Sequence, residues 1–214
     1  MHFEYALKAF KDHRYITVDG KPIFLIWDSY HFPDVTLFMD LWRKWAKECG
    51  LKGVHFVAMG HSTSTVKRMP DGSVKRGLPN LASSADVYND FLRLGFDAVC
   101  SFGRPRAEMI YTGKYKRLTQ IFLRKLAPQL KTLRFDYPKV MKYCFAPEDS
   151  WENVYPNIMP QWDRSPRAGN MDGVFVNATP EHFKQHILQA LEVIKDKKPE
   201  HKILFLRSWN EWGE

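Results

Sequence analysis

Glu211 and Glu214 stand three positions apart in Trp209-Asn210-Glu211-Trp212-Gly213-Glu214, directly beyond the apolar run Ile203-Leu204-Phe205-Leu206. On a helical turn, residues at this spacing share a face, with Cβ atoms roughly 5–6 Å apart. Two carboxyl groups that close penalise each other's charge, and Trp209 and Trp212 are placed to strip solvent from both. One then keeps its proton near neutrality while the other stays an anion. That division suits a general acid working beside a base or nucleophile, as in cleavage of a glycosidic bond. A plainer reading competes with it. Glutamates at the mouth of a helix also favour the positive end of its dipole, and loop tryptophans also simply pack. The combination of strand end, paired carboxylates and two tryptophans, whose faces stack on sugar rings, favours chemistry.

Such a pair has to be held by a sheet. Lys202-Ile203-Leu204-Phe205-Leu206 reads as a buried parallel strand, and in parallel α/β folds reactive groups sit at the carboxyl ends of strands. Upstream, Tyr15–Val18, the turn Asp19-Gly20 and Pro22–Trp27 predict a strand, a tight turn and a second strand. A helix follows, with Leu37, Leu41, Trp42, Trp45 and Ala46 spaced for one apolar face and a stop near Gly50. Gly53–Met59 reads as a strand, Ser62–Ser84 as a long polar loop, and Gly95–Phe102 as another strand. Helical periodicity covers Tyr115–Leu133, with a further short helix over Tyr137–Tyr143. Tyr155–Pro160 is extended. Thr179 caps a helix over Pro180–Ile194, with Phe183, Ile187, Leu191 and Ile194 along one side. Strand and helix thus alternate about five times, which predicts a parallel α/β architecture. The strand after Tyr15 is not followed by a glycine-rich phosphate loop. Polar or aromatic groups end five strands: Trp27-Asp28, Gly60-His61, Phe102-Gly103-Arg104, Trp162-Asp163 and Trp209–Glu214. One barrel mouth suits them better than an open sheet.

With 214 residues, 44% of them hydrophobic and 14% aromatic, the chain is expected to form one globular domain over 1–214. Cys49, Cys100 and Cys144 are odd in number, widely spaced and set among apolar neighbours. They predict buried free thiols, and with them a reducing, cytoplasmic compartment. The first residues carry no basic segment followed by an apolar stretch, and no run reaches the length that spans a bilayer. The formal charge is +8, yet the basic residues are dispersed and no recognition-helix pattern appears, so nucleic acid is not expected as a partner.

Other side chains are weaker candidates for chemistry. His61 beside Ser62 lacks the Gly-x-Ser-x-Gly turn of a serine nucleophile. His31 and His55 read as packed or loop residues, since no histidine pair has metal-ligand spacing, and no metal site is expected. Asp28 is balanced between contacting substrate at its strand end and serving a turn.

Taken together, Arg14-Tyr15-Ile16 to Ile26, Ile158–Arg167 and Trp209–Glu214 resemble the glycoside hydrolase family 99-like proteins, among them the WbsX-type glycosyltransferases of bacterial polysaccharide gene clusters. The resemblance spans nearly the whole chain, and Asn-Glu-Trp-x-Glu with Met-Pro-x-Trp-Asp one βα unit earlier is a fairly specific combination. It implies a (β/α)8 TIM-barrel domain acting on a glycan or oligosaccharide. Glu211 would deprotonate the sugar 2-hydroxyl and Glu214 would act first as acid and then as base, through an anhydro sugar and with retention. Trp162, Asp163, Trp209, Asn210 and Trp212 would shape the sugar subsite, with Arg164 and Arg167 available for hydroxyls or an acidic group. Such a mechanism needs no metal and no organic cofactor. Two alternatives stay open. One is a glycosyltransferase of lipopolysaccharide O-antigen or capsule biosynthesis, although no Asp-x-Asp motif is present. The other is a glycan-binding module without catalysis. Counting back from the last strand, the barrel is expected to be incomplete, with about five βα units corresponding to strands 4 to 8 and the N-terminal portion missing. Glu214, as the last residue, carries the terminal carboxylate beside the proposed acid.

Overall fold

The computed structural model describes residues 2–60, 64–68, 74–79, 84–113, 119, 133–163 and 173–208. The chain begins with α1 (His2–Phe10), β1 (Thr17–Val18), β2 (Lys21–Ile26), α2 (Val35–Glu48) and β3 (His55–Gly60). β4 (Ser64–Arg68), β5 (Val74–Pro79), α3 (Ser84–Arg93), β6 (Ala98–Ser101) and α4 (Arg104–Thr112) come next. β7 (Leu133–Asp136), α5 (Tyr137–Met141), a 3-10 turn (Pro147–Ser150), β8 (Val154–Tyr155) and β9 (Asn157–Ile158) follow. β10 (Gly173–Val176), α6 (Pro180–Ile194), a second 3-10 turn (Pro199–His201) and β11 (Phe205–Leu206) complete the order. The α/β class expected from the alternation is therefore present. Two compact units divide the chain. The first comprises Met1–Ser101, Trp151–Tyr155 and Lys197–Ile203; the second comprises Phe102–Ser150, Pro156–Asp196 and Leu204–Glu214.

In the first unit a five-stranded sheet runs β1-β2-β3-β6-β8. β1 and β2 are antiparallel about Asp19-Gly20, whose φ values of 53° and 71° are the left-handed pair that matches strand twist in a two-residue turn. The remaining ladders are parallel: Ile23↔His55 to Ile26↔Ala58, Val57↔Ala98 to Gly60↔Ser101, and Val99↔Val154 with Cys100↔Tyr155. Neighbours follow chain order, as successive βα units would place them, and the sheet is compatible with part of a barrel. β3 and β6 are buried at every position, which explains why they are apolar apart from His55 and Ser101 at their ends.

The α2 face is a correction to the periodicity. Val35, Met39, Trp42 and Ala46 point into the core, whereas Leu37, Leu41 and Trp45 are 58%, 37% and 38% exposed. Apolar residues line both sides of this helix, and packing selects the stripe that meets Phe24 and Phe56. Trp42 lies 4.7 Å, centroid to centroid, from both Phe24 and Phe38, and 5.3 Å from Phe3 of α1. Neither α1 nor α3 was anticipated. α3 buries Val87, Tyr88 and Phe91 from a segment that looks polar overall. The long loop expected over Ser62–Ser84 is also corrected: it contains the antiparallel hairpin β4–β5, with a register shift between Ser64 and Val66. Strands so rich in Lys, Arg and Ser are specified by ladder hydrogen bonds, which leave no apolar pattern to read.

In the second unit β7 pairs with β10 and β9 pairs with β11, both in parallel. β7, β10 and α4 were not expected. The helix drawn over Tyr115–Leu133 is wrong at its end, since Leu133 opens β7; the residues before it lie outside the described ones apart from Thr119. α5 and α6 form as predicted. The Thr179 hydroxyl accepts the His182 N–H at 3.2 Å and Pro180 occupies the first turn. The buried face of α6 is His186, Ala190 and Ile194, while Leu191 is 48% exposed. The buried strand expected over Lys202–Leu206 reduces to two residues, and Leu206 is 36% exposed. β11 has a single ladder among the described residues, and an apolar run fixes neither the length nor the cover of a strand. The core here gathers Ala107, Phe135, Tyr137, Val140, Met141, Cys144, Met159, Trp162 and Phe175.

All three cysteines are free, with Cys100 and Cys144 buried and Cys49 half-buried. No helix among the described residues is long and apolar enough to cross a membrane.

Candidate functional site

The ends of the parallel strands carry the chemistry-bearing side chains, because loops there vary without disturbing the ladders. Trp209, Asn210, Glu211, Trp212 and Glu214, together with Arg164, Arg167 and His61, lie outside the described residues. Asp28, Trp162 and Asp163 are described.

Asp28 follows β2 in the first unit. Its carboxylate lies 2.7 Å from His31 Nδ1 and also accepts the His31 N–H at 3.3 Å, so it closes a turn around the histidine. The side chain is 60% exposed.

The second unit holds the densest polar and aromatic constellation. Trp162, three residues beyond the buried Met159, is 4% exposed, and Asp163 after it is exposed. Two guanidinium groups lie over the Trp162 ring, Arg104 and Arg207, each with Cζ 4.6 Å from its centroid. Arg104 begins α4 and also reaches over Phe175 at 5.7 Å. Its Nε lies 2.6 Å from Glu108 Oε1, one turn along the same helix, and both side chains are 10% exposed. Burial in this low-dielectric setting makes each of the two charges depend on the other. Arg207 follows β11 directly, and its Cζ stands 4.4 Å over Phe102, the residue after β6. Its backbone N–H donates to Ile158 O at 2.9 Å, tying it to the end of β9. The Tyr137 hydroxyl donates to Met159 O at 2.7 Å and fixes the segment that leads to Trp162.

Backbone strain marks two of these strand ends. Ser208 after β11 and Asn177 after β10 have φ of 59° and 61°, a region that L residues seldom occupy away from special sites. Asn177 Nδ2 donates to Asp136 Oδ1 at 3.0 Å, Lys139 Nζ lies 2.8 Å from Asp136 Oδ2, and His182 Nδ1 donates to Asn177 O at 2.7 Å. The Lys139 ammonium, with help from Asn177, holds the Asp136 carboxyl below the usual carboxylate range. Arg207, Asp136 and Asn177 were missed by sequence reasoning, while Phe102 stood only as a strand end. Arg207 directly follows a predicted strand, whereas Asp136 and Asn177 stand out only once β7 and β10 are recognised as strands.

Among the described residues no group of three or more His, Cys, Asp and Glu side chains is arranged to hold a metal ion. The second unit offers a platform of two cations stacked on aromatic rings, one of which, Arg207, is four residues before Glu211 in sequence. Cations and ring faces of this kind bind sugars and their acidic substituents. No curated protein and no solved structure matches the chain. The family described as Glycosyltransferase WbsX matches residues 1–214, and the chain belongs to that family of carbohydrate-active enzymes related to glycoside hydrolase family 99.

Proposed function

We propose that this protein cleaves or remodels glycosidic bonds at the mouth of a (β/α)8-type barrel, with Glu211 and Glu214 as its acid–base pair. The observation that carries the proposal is the family match over the whole of 1–214, and Asn-Glu-Trp-x-Glu follows β11 in the sequence. Glu211 takes the proton from the sugar 2-hydroxyl as that oxygen attacks C1, while Glu214 protonates the departing glycosidic oxygen. Glu214 then removes a proton from the incoming hydroxyl that opens the 1,2-anhydro sugar, and Glu211 returns the first proton. Water as the incoming group gives hydrolysis, and a sugar hydroxyl gives transfer, with retention in both. Trp162, Asp163, Trp209, Asn210 and Trp212 shape the subsite, and Arg164 and Arg167 meet hydroxyls or an acidic group. No cofactor enters these steps. Three free thiols support a reducing compartment such as the cytoplasm.

The family's description as a glycosyltransferase supports a second reading, transfer from an activated sugar, which we place in assembly of lipopolysaccharide O-antigen or capsule. Incubation with α-linked manno-oligosaccharides, and separately with nucleotide sugars plus acceptor, separates the two. Cleavage supports the hydrolytic form, nucleotide-dependent transfer promotes the second, and sugar binding without either reaction makes the protein a glycan-binding module. Glu211→Gln and Glu214→Gln are each expected to lower kcat/KM on the order of 100-fold or more, the usual worth of a positioned acid or base. Turnover that survives both substitutions overturns the assignment.

A further inference from the structure

We infer that the stretch Lys197–Ile203 is an acid-released clasp on the first unit, latched by the Tyr155 hydroxyl between His55 and His201.

Polar contacts do most of the fastening. The buried side chains of the stretch are Lys197 and His201, neither of them apolar. Lys197 Nζ donates to Val154 O and the Lys198 N–H donates to Glu152 Oε1 at 3.0 Å, which ties one end to β8 and the residues just before it. Glu200 Oε2 accepts the Asp19 N–H at 2.5 Å, which ties the 3-10 turn to the β1–β2 hairpin. His201 stands between these attachments, with Nδ1 3.2 Å from the Tyr155 hydroxyl and Nε2 4.0 Å from Asp19 Oδ2. The same hydroxyl meets His55 Nε2 at 3.0 Å, at the start of β3. A stretch with so little apolar burial opens at a smaller free-energy cost than the sheet to which it is tied.

The latch holds a limited number of protons. With both rings neutral, the hydroxyl donates to one and accepts from the other. One imidazolium is still accommodated, since it donates to the oxygen while the hydroxyl proton turns to the neutral ring. Two are not: both rings then present N–H groups to one buried oxygen, and their charges repel. Other charges face this centre from the elements around it. Asp97 ahead of β6, Asp19 in the hairpin turn and Lys21 on β2 act on His55, and Glu152 ahead of β8 acts with Asp19 and Asp97 on Tyr155. Burial is the largest effect and keeps His55 neutral down to about pH 4, against 6.5 for a free imidazole. The shut clasp therefore excludes a proton that the open one takes up, and acid favours opening between those two values. The purely structural alternative is that the stretch stays tied until the whole unit unfolds.

Hydrogen exchange read by mass spectrometry separates the two. The full chain is compared at pH 7 and pH 5, corrected for the intrinsic pH dependence of exchange, with a peptide over 197–203 read against one over β3. The clasp peptide is expected to lose protection on the order of tenfold between pH 7 and pH 5, as uptake of about one proton over part of that window gives. The β3 peptide is expected to keep its protection. His55→Gln retains a hydrogen-bonding side chain without the titration and should remove most of the change. Tyr155→Phe deletes the shared hydroxyl and should lower clasp protection already at pH 7. Equal loss in both peptides, no loss in the wild type, a wild-type loss persisting in His55→Gln, or full clasp protection in Tyr155→Phe overturns the inference. Should His55→Gln fail to fold by circular dichroism, the wild-type comparison and Tyr155→Phe decide. No sugar enters the readout, so the result stands apart from the assignment of Glu211 and Glu214.

Discussion

Tyr155 in the first unit holds two imidazoles at once, with its hydroxyl 3.0 Å from His55 Nε2 and 3.2 Å from His201 Nδ1. A hydroxyl has one proton, so it donates to one ring and accepts from the other, and both histidines can be satisfied while neutral. Burial lowers the His55 pKa from 6.5 to about 4; nearby Asp97 and Asp19 favour the charged ring and His201 and Lys21 oppose it. In the second unit, burial likewise lowers His186 to about 4. That ring stacks on Phe145 with centroids 5.1 Å apart, and neither nitrogen has a hydrogen-bond partner among the described residues. Gln189, one turn on, favours the charged form weakly without reaching bonding geometry. Between about pH 4 and pH 6.5 the unfolded chain binds more protons at both positions than the folded one, so stability rises with pH across that window. Thermal midpoints are expected to fall progressively as pH drops from 6.5 towards 4, and His186→Leu should flatten the slope. The same substitution removes a buried polar group and should raise stability by about 1 kcal/mol at pH 7, read from urea midpoints. A midpoint insensitive to pH in that window would contradict the assignment. The buried Arg104–Glu108 pair carries a separate expectation: Glu108→Gln leaves the guanidinium without its carboxylate and should cost about 3–5 kcal/mol.

At the scale of elements, α4 is delivered to the site by a close approach that only glycine permits. A Cβ on Gly103 would fall 1.7 Å from Cys144 O, a backbone atom that cannot step aside as a flexible side chain could. Gly103 sits between Phe102 and Arg104, the two residues that meet Arg207 and Trp162, so any shift there moves the aromatic platform. Gly103→Ala is expected to destabilise by about 1–3 kcal/mol or more through overpacking. Thermal melting would report that loss. Unchanged stability would mean that the Gly103–Cys144 approach is not maintained in solution. The helices teach a related point. α2 and α6 both carry more apolar positions than one buried stripe can use, and Leu37, Leu41, Leu188 and Leu191 stay in solvent because the sheet side accommodates a single ridge.

Over the whole molecule, each compact unit is assembled from three separate stretches of chain. The first unit draws β8 from Trp151–Tyr155 and the Pro199–His201 turn from far downstream, although its other strands are complete by Ser101. β8 covers the edge of β6, and Lys197 Nζ donates to Val154 O. A chain ended after Ser150 would uncover that edge and remove both partners of His55 in the tyrosine network. It is expected to lose near-ultraviolet circular dichroism and to elute as aggregate on gel filtration. A native-like monomer would show that the first unit closes without β8.

The amino-acid sequence by itself determined the α/β class, the Asp19-Gly20 hairpin turn, α6 with its Thr179 cap, the parallel course of the buried strands and, through the glutamate and Met-Pro-x-Trp-Asp motifs, the carbohydrate family. These features are set by local chemistry: a turn that needs left-handed backbone, a hydroxyl that satisfies an orphan N–H, an apolar run that water rejects. Tertiary structure alone decided which stripe of α2 and α6 is buried, that β7 and β10 pair, that part of a polar stretch folds into β4–β5, and that Arg207 and Arg104 meet over Trp162. Those outcomes depend on partners far apart in the chain, and contact between such groups leaves no periodicity in either segment.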